Sequence, residues 1–336
     1  MLRTHLFALL LCITAAQLPF TALADEKAPG CQLTKVADLP VTVTPYNTIL
    51  VTGKIKGEDV QLEIDTGSDS TMFDNTVISR FGVQPYEKEY VLRGAGGESR
   101  RNFKAKIPGL ALGNFNASDM TLLVSSNRFL PDGVYALLGA DFLLSFDLDL
   151  DLANNRIGLF QHNACAAEPV YWANTFSEAD LHVRENKIYV VAELDQKPFE
   201  AMLDTGAGRT VISTTLTKRM GLDVSAPGMI KAGMAYGIDR HPIDNYRYRF
   251  SELHIGDEVV KNPTLNVANL APIQFDHRSF NHVQDNHLDI SALLGADFVK
   301  THHIYVATRS MKMYFTYNGG GIFSPPKNDS TTAATK

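Results

Sequence analysis

The sequence predicts an all-β protein built as two tandem lobes, each carrying one short helix. Three observations lead there. A long segment is written twice, each copy is a series of short β-rich runs with Gly-containing turns, and each first strand pair ends on the same tripeptide.

Residues 48–82 (TILVTGKIKGEDVQLEIDTGSDSTMFDNTVISRFG) and 187–221 (KIYVVAELDQKPFEAMLDTGAGRTVISTTLTKRMG) align at a constant offset of 139, placing Asp65-Thr66-Gly67 on Asp204-Thr205-Gly206. Further on, Leu137-Leu138-Gly139-Ala140-Asp141-Phe142 recurs as Leu293-Leu294-Gly295-Ala296-Asp297-Phe298 at an offset of 156, so the second copy holds 17 extra residues between its motifs. Two motifs recurring in one order signal duplication.

Within each copy the elements follow one template. Runs 48–55 and 60–64 read as a hairpin around Lys56-Gly57, matched by 187–194 and 199–203. Such runs suggest a closed or sandwiched lobe. Asp74 and Ser213 stand at equivalent helix N-cap positions, with Gly82 and Gly221 just past the helix ends. Segments 146–152 and 156–160 form a closing hairpin around Asn154-Asn155. There Asp147, Asp149 and Asp151 alternate with leucines, and a period of two assigns the acids to a solvent face rather than to a calcium cage.

The lobes are bounded at 46–160 and 186–316, joined by a connector, 161–185, that holds Cys165 and the only tryptophan, Trp172. Residues 25–45 read as an edge strand or a short propeptide, and the polar 317–336 as a mobile, dispensable tail. Residues 1–24 read as a signal peptide: Arg3, an apolar run over 5–16, and Ala22-Leu23-Ala24 before the cleavage point. The expectation is export, to a periplasm or beyond the cell, with no membrane anchor, because no later run approaches the roughly 18–20 apolar residues of a spanning helix. Cys31 and Cys165 then invite one disulfide, two free thiols being the alternative. A net charge of −6, or −7 once Arg3 is removed, argues against nucleic acid or an anionic membrane as partner. The 336 residues, 45% hydrophobic, suffice for two cores.

A lone Asp-Thr-Gly says little. Here each follows an apolar strand end (Leu62-Glu63-Ile64; Ala201-Met202-Leu203), precedes a small residue (Ser68; Ala207), and is completed downstream by apolar-apolar-Gly. This arrangement resembles the retropepsin-like aspartic protease family, over about residues 46–160 and again 186–316. The resemblance implies two β-barrel lobes related by a pseudo-two-fold axis, with the two loops meeting across it. Asp65 and Asp204 would then share one proton and activate a water against a peptide bond, since adjacent carboxylates do not both ionise readily. It also implies an extended polypeptide as substrate, no metal, no cofactor, and a monomer acting as an internal pseudo-dimer.

By the same resemblance, Thr66 and Thr205 reach across to the opposite loop, and Gly67 and Gly206 permit the tight turn. Asp69 binds substrate backbone, its second-lobe counterpart being Gly208. Gly94-Ala95-Gly96-Gly97 falls at a flap over the substrate, and Gly233-Met234-Ala235-Tyr236-Gly237 is its bulkier counterpart, with Tyr236 as a contact. The family often has Arg after the Leu-Leu-Gly glycine; Ala140 and Ala296 stand there, which puts the usual Arg–Asp pair in doubt. Asp141 and Asp297 are expected to cap the following helical turn. The asymmetry Ser68 against Ala207 suggests a hydroxyl bond to Asp65, making Asp65 the ionised member and Asp204 the protonated one.

His277, His282 and His287 recur every five residues in the second-lobe insertion. That spacing fits neither a helix nor a strand face, so a solvated loop is preferred to a metal site. Two readings compete with an endopeptidase. A peptide-binding pseudoprotease would keep the cleft without the chemistry. A structural β-protein would hold duplicated domains that never meet.

Overall fold

The computed structural model describes residues 33–86, 90–93, 99–118, 120–162, 170–237, 241–271 and 290–323, which belong to one compact unit beginning at Leu33. The signal region, Cys31, Cys165, the Gly94–Gly97 turn and the three insertion histidines lie outside the described residues. None of the described helices is long and apolar enough to cross a membrane.

Each lobe grows from its first hairpin. Ile49–Ile55 and Glu58–Ile64 pair antiparallel around Lys56 and Gly57, both in the left-handed region at φ 51° and 83°. Alternation sends Val60, Leu62 and Ile64 inward onto Ile49, Val51 and Ile55. Val134–Leu138 then lies parallel to Glu58–Ile64, which brings Leu-Leu-Gly beside the end of the Asp-Thr-Gly strand. The second lobe repeats this with Lys187–Leu194, Lys197–Leu203 and Ala292–Leu294. The result is the all-β fold of two retropepsin-like lobes, each with its short helix, Thr76–Phe81 or Thr214–Arg219.

A six-stranded antiparallel sheet joins the lobes, in the order Lys35–Val43, Arg156–Phe160, Asp147–Asp151, His302–Ala307, Lys312–Tyr317, Ser177–Arg184. Its central pair comes from the closing hairpins of the two repeats, with Leu148 opposite Val306 and Asp151 opposite His303. One apolar core runs through both lobes and this sheet.

Of the two readings of the N-terminal segment, the strand is the one present: Lys35–Val43 buries Ala37, Leu39 and Val41 and pairs with both Arg156–Phe160 and Ile49–Ile55. Other expectations are corrected. The expected connector gives up Ser177–Arg184 to the interlobe sheet. The segment from residue 317 is packed as far as Phe323: Tyr317 ends a strand, Ile322 packs on the core, and buried Phe323 stacks on Phe298 with ring centroids 6.4 Å apart.

The acids of Asp147–Asp151 do not face solvent. Their side chains are at most 3% exposed. The alternation holds, but the second face is covered too. His303 Nε2 meets Asp149 at 2.6 Å, Tyr171 donates to Asp149, His162 Nδ1 lies 3.1 Å from Asp147, and Arg156 lies 3.3 Å from Asp151. Trp172 closes over His303 with ring centroids 3.7 Å apart.

The helix starts also divide. Ser213 Oγ accepts from Leu216 N at 3.0 Å, as an N-cap does. Asp74 sits one residue early: Asn75 is the cap, and its side chain makes no capping bond, donating to Ser126 O at 3.3 Å instead. The Asp74 carboxylate still takes Thr76 N–H, and it also gathers Phe129 N and Leu130 N from a distant loop.

Candidate active site

The Asp-Thr-Gly loops meet because their strands end together at the lobe interface. Asp65 N donates to Leu138 O and Asp204 N to Leu294 O, both at 3.0 Å, so each aspartate is anchored to the Leu-Leu-Gly strand of its own lobe. The glycine of that motif must be glycine. A Cβ on Gly139 would lie 2.4 Å from the Ser70 backbone, and one on Gly295 would lie 2.4 Å from that of Arg209.

Between the lobes the threonines cross. Thr66 Oγ1 donates to Leu203 O at 2.7 Å and accepts from Thr205 N at 3.1 Å. Thr205 Oγ1 donates to Ile64 O at 2.8 Å and accepts from Thr66 N at 3.0 Å. Both side chains are wholly buried, so these four bonds have no competition from water.

The carboxylates close the arrangement. Gly67 N and Ser68 N reach Asp65 Oδ1 at 2.9 and 3.0 Å, and Ala207 N reaches Asp204 Oδ1 at 3.0 Å. A Cβ on Gly67 would lie 2.3 Å from the Asp204 carboxylate, and one on Gly206 would lie 2.4 Å from that of Asp65. Each acid therefore rests against the opposite loop, where only glycine fits. Burial raises the Asp65 pKa well above the usual carboxylate range, with Asp204 and Glu63 adding to it. Burial also raises Asp204, which the Ala207 N–H and the Lys187 ammonium partly offset. The expected hydroxyl bond to Asp65 is not made: Ser68 Oγ donates to Ser70 O at 3.0 Å and only its N–H serves the carboxylate.

A family model described as aspartyl protease matches this chain over residues 51–142 and again over 190–298, one match per lobe. The chain belongs to the aspartyl protease family. Comparison with curated proteins finds no match.

Other members of the family site fall as follows. Asp141 and Asp297 stand in the first turn of short helices whose N-caps are Gly139 and Gly295, so they do not cap them. Each carboxylate instead takes the N–H and hydroxyl of a loop threonine: Thr71 at 2.7 and 2.7 Å, Thr210 at 2.8 and 2.7 Å. Those hydroxyls in turn accept from Gly139 N and Gly295 N at 3.0 Å, locking loop to Leu-Leu-Gly motif in both lobes.

Asp69 is half-exposed and paired with Lys187, which also donates to Gly67 O; this ammonium occupies the role that the missing arginines left open. In the second lobe the carbonyl of Tyr46 would lie 2.4 Å from a Cβ on Gly208, and Asn47 Nδ2 donates to Gly208 O at 2.7 Å. No aspartate side chain fits there, which explains the asymmetry.

Residues 233–236 form part of the strand Ile230–Tyr236, paired with Pro242–Arg249, and are not its turn; Tyr236 is exposed at its end. Strands Tyr90–Arg93 and Ser99–Ile107 pair antiparallel.

Sequence reasoning missed Lys187 and Glu63. Both were visible as breaks in the repeat, since Lys187 aligns with Thr48 and Glu63 with Met202.

Proposed function

We propose that this chain is an aspartic endopeptidase with one active site, to which each lobe contributes one carboxylate. The observation that carries this reading is the Asp65 and Asp204 carboxylates set against each other's cross-bonded loops, with both acids raised above their ordinary range. A pair sharing one proton supplies both halves of the chemistry. The ionised member takes a proton from a water bound between the carboxylates as that water attacks the peptide carbonyl. The protonated member gives its proton to the carbonyl oxygen, and a tetrahedral diol forms. Collapse of the diol expels the amine, which is protonated as it leaves, and the pair returns to its starting state. Thr66 and Thr205 fix the loops, Gly67 and Gly206 admit the opposing acids, and the backbone N–H groups of Ser68 and Ala207 hold the carboxylates. Asp69 and Tyr236 are proposed substrate contacts.

The substrate would be an extended polypeptide and the working form a monomer, because one chain supplies both acids. The leader-like residues 1–24 support an exported enzyme, periplasmic or secreted.

The test is digestion of a denatured protein across acidic and neutral pH, with and without a peptide carrying a hydroxyl in place of the scissile carbonyl. Cleavage blocked by that peptide is expected. A purified, folded chain that cleaves nothing at any pH would overturn the reading.

A further inference from the structure

The strand leading into the first aspartate carries a third carboxylate. Along Glu58–Ile64, Val60, Leu62 and Ile64 point into the barrel, while Gln61 and Glu63 take the opposite face, which is also that of Asp65. Residues opposite one another on neighbouring strands share a face, so Glu63 stands between Leu50 and Leu137. Those two belong to an apolar cluster with Met72 and Val134, separate from the barrel core. Both dyad carboxylates lie within electrostatic reach of Glu63. It has no hydrogen-bond or ion-pair partner among the described residues, and burial, with Asp204 adding, pushes its pKa up to about 7.

The matching position in the second lobe is filled differently. Met202 stands between Tyr189 and Leu293, in an apolar cluster with Ile243, Leu270 and Ile290. The two walls flanking the dyad are therefore equivalent in backbone and opposite in chemistry. An unpaired acid costs stability where an apolar side chain would fit. A cation arriving with the substrate would remove that cost. Lysine and arginine suit the wall: their aliphatic stems lie along leucine and methionine surface while the charged head reaches a carboxylate.

We propose that Glu63 is a specificity-determining residue, making the first-lobe wall beside the dyad a receptor for a substrate lysine or arginine next to the scissile bond. This rests on the endopeptidase reading above.

The test uses two peptides that differ only in lysine or norleucine at the residue flanking the cleaved bond, with the parent chain, Glu63→Gln and Glu63→Met. The parent should favour the lysine peptide in kcat/KM, and Glu63→Gln should reduce that ratio by roughly 10- to 100-fold, the range of a charge-assisted contact. Glu63→Met should favour norleucine. Loss of the Glu63 charge also alters the dyad, but that change multiplies both rates and cancels in the ratio. The same pair made as uncleavable hydroxyl peptides gives a second readout, the ratio of dissociation constants. Cleavage by the parent with a ratio that Glu63→Gln leaves unchanged overturns the inference and spares the endopeptidase. A Glu63-dependent binding ratio supports a basic side chain on this wall even where neither peptide is cut; the endopeptidase reading falls only if the same chain also leaves denatured protein uncut at every pH.

Discussion

Replacing Thr66 by valine keeps the volume of the side chain and removes its hydroxyl. Two buried backbone groups then lose their partners, Leu203 C=O and Thr205 N–H, now bonded at 2.7 and 3.1 Å. Thr66 is fully buried, so water cannot replace the hydroxyl without the lobes separating. Each unsatisfied buried group costs about 1–3 kcal/mol, so the pair costs roughly 2–6 kcal/mol of stability. Thr205→Val strands Ile64 C=O and Thr66 N–H in the same way and should cost a similar amount. The assay is urea unfolding followed by the fluorescence of Trp172, which stacks on His303 in the interlobe sheet and so reports on the joint between lobes. Thr52→Val is the control. Its hydroxyl is exposed and accepts only from Gln61, so a change within about 0.5 kcal/mol is expected. A Thr66→Val midpoint indistinguishable from that control would refute the cross-bonded loops as the lock between lobes.

Three further outcomes follow from the same geometry. The Lys187 ammonium favours the ionised form of both dyad acids, so Lys187→Met should raise both apparent pKa values and move the pH–rate profile to higher pH; an unmoved or lowered profile would contradict it. Ser68→Ala removes a hydroxyl that serves Ser70 O, so its profile should overlay the parent, and a displaced acid limb would show a bond to the dyad after all. Phe323→Ala should lower stability by about 2–4 kcal/mol in thermal or urea unfolding, because the ring is buried against Phe298; no loss would restore the picture of a dispensable tail.

The duplication and the hairpins were legible because they rest on local pattern repeated at a fixed offset, and the meeting of the two Asp-Thr-Gly loops followed from the family resemblance. What covers a face was not. Period two separated Leu148 and Leu150 from Asp147, Asp149 and Asp151, but the second face is covered by Tyr171, Trp172 and His303, up to about 150 residues away in sequence. The rotamer of Ser68 was equally invisible, since a hydroxyl beside a carboxylate has several acceptors within reach. Asp141 and Asp297 looked like caps because they open short helices, yet the strongest donors nearby, Thr71 and Thr210, come from another loop. Glu63 was readable in principle: a charge in one repeat where the other holds Met202 marks a place where the lobes diverge in chemistry.

The central claim is that one site is assembled from the two repeats of a single chain. Peptide cleavage by Asp65→Asn, by Asp204→Asn, and by an equimolar mixture of the two tests it most directly. Each variant should fold as the parent does and lose at least about a hundred-fold in rate, because one carboxylate cannot act as acid and base together. The mixture should stay as inactive as its components, since neither chain holds an intact pair. Near-parent turnover by either variant alone, or activity regained on mixing, would contradict a shared site within one chain.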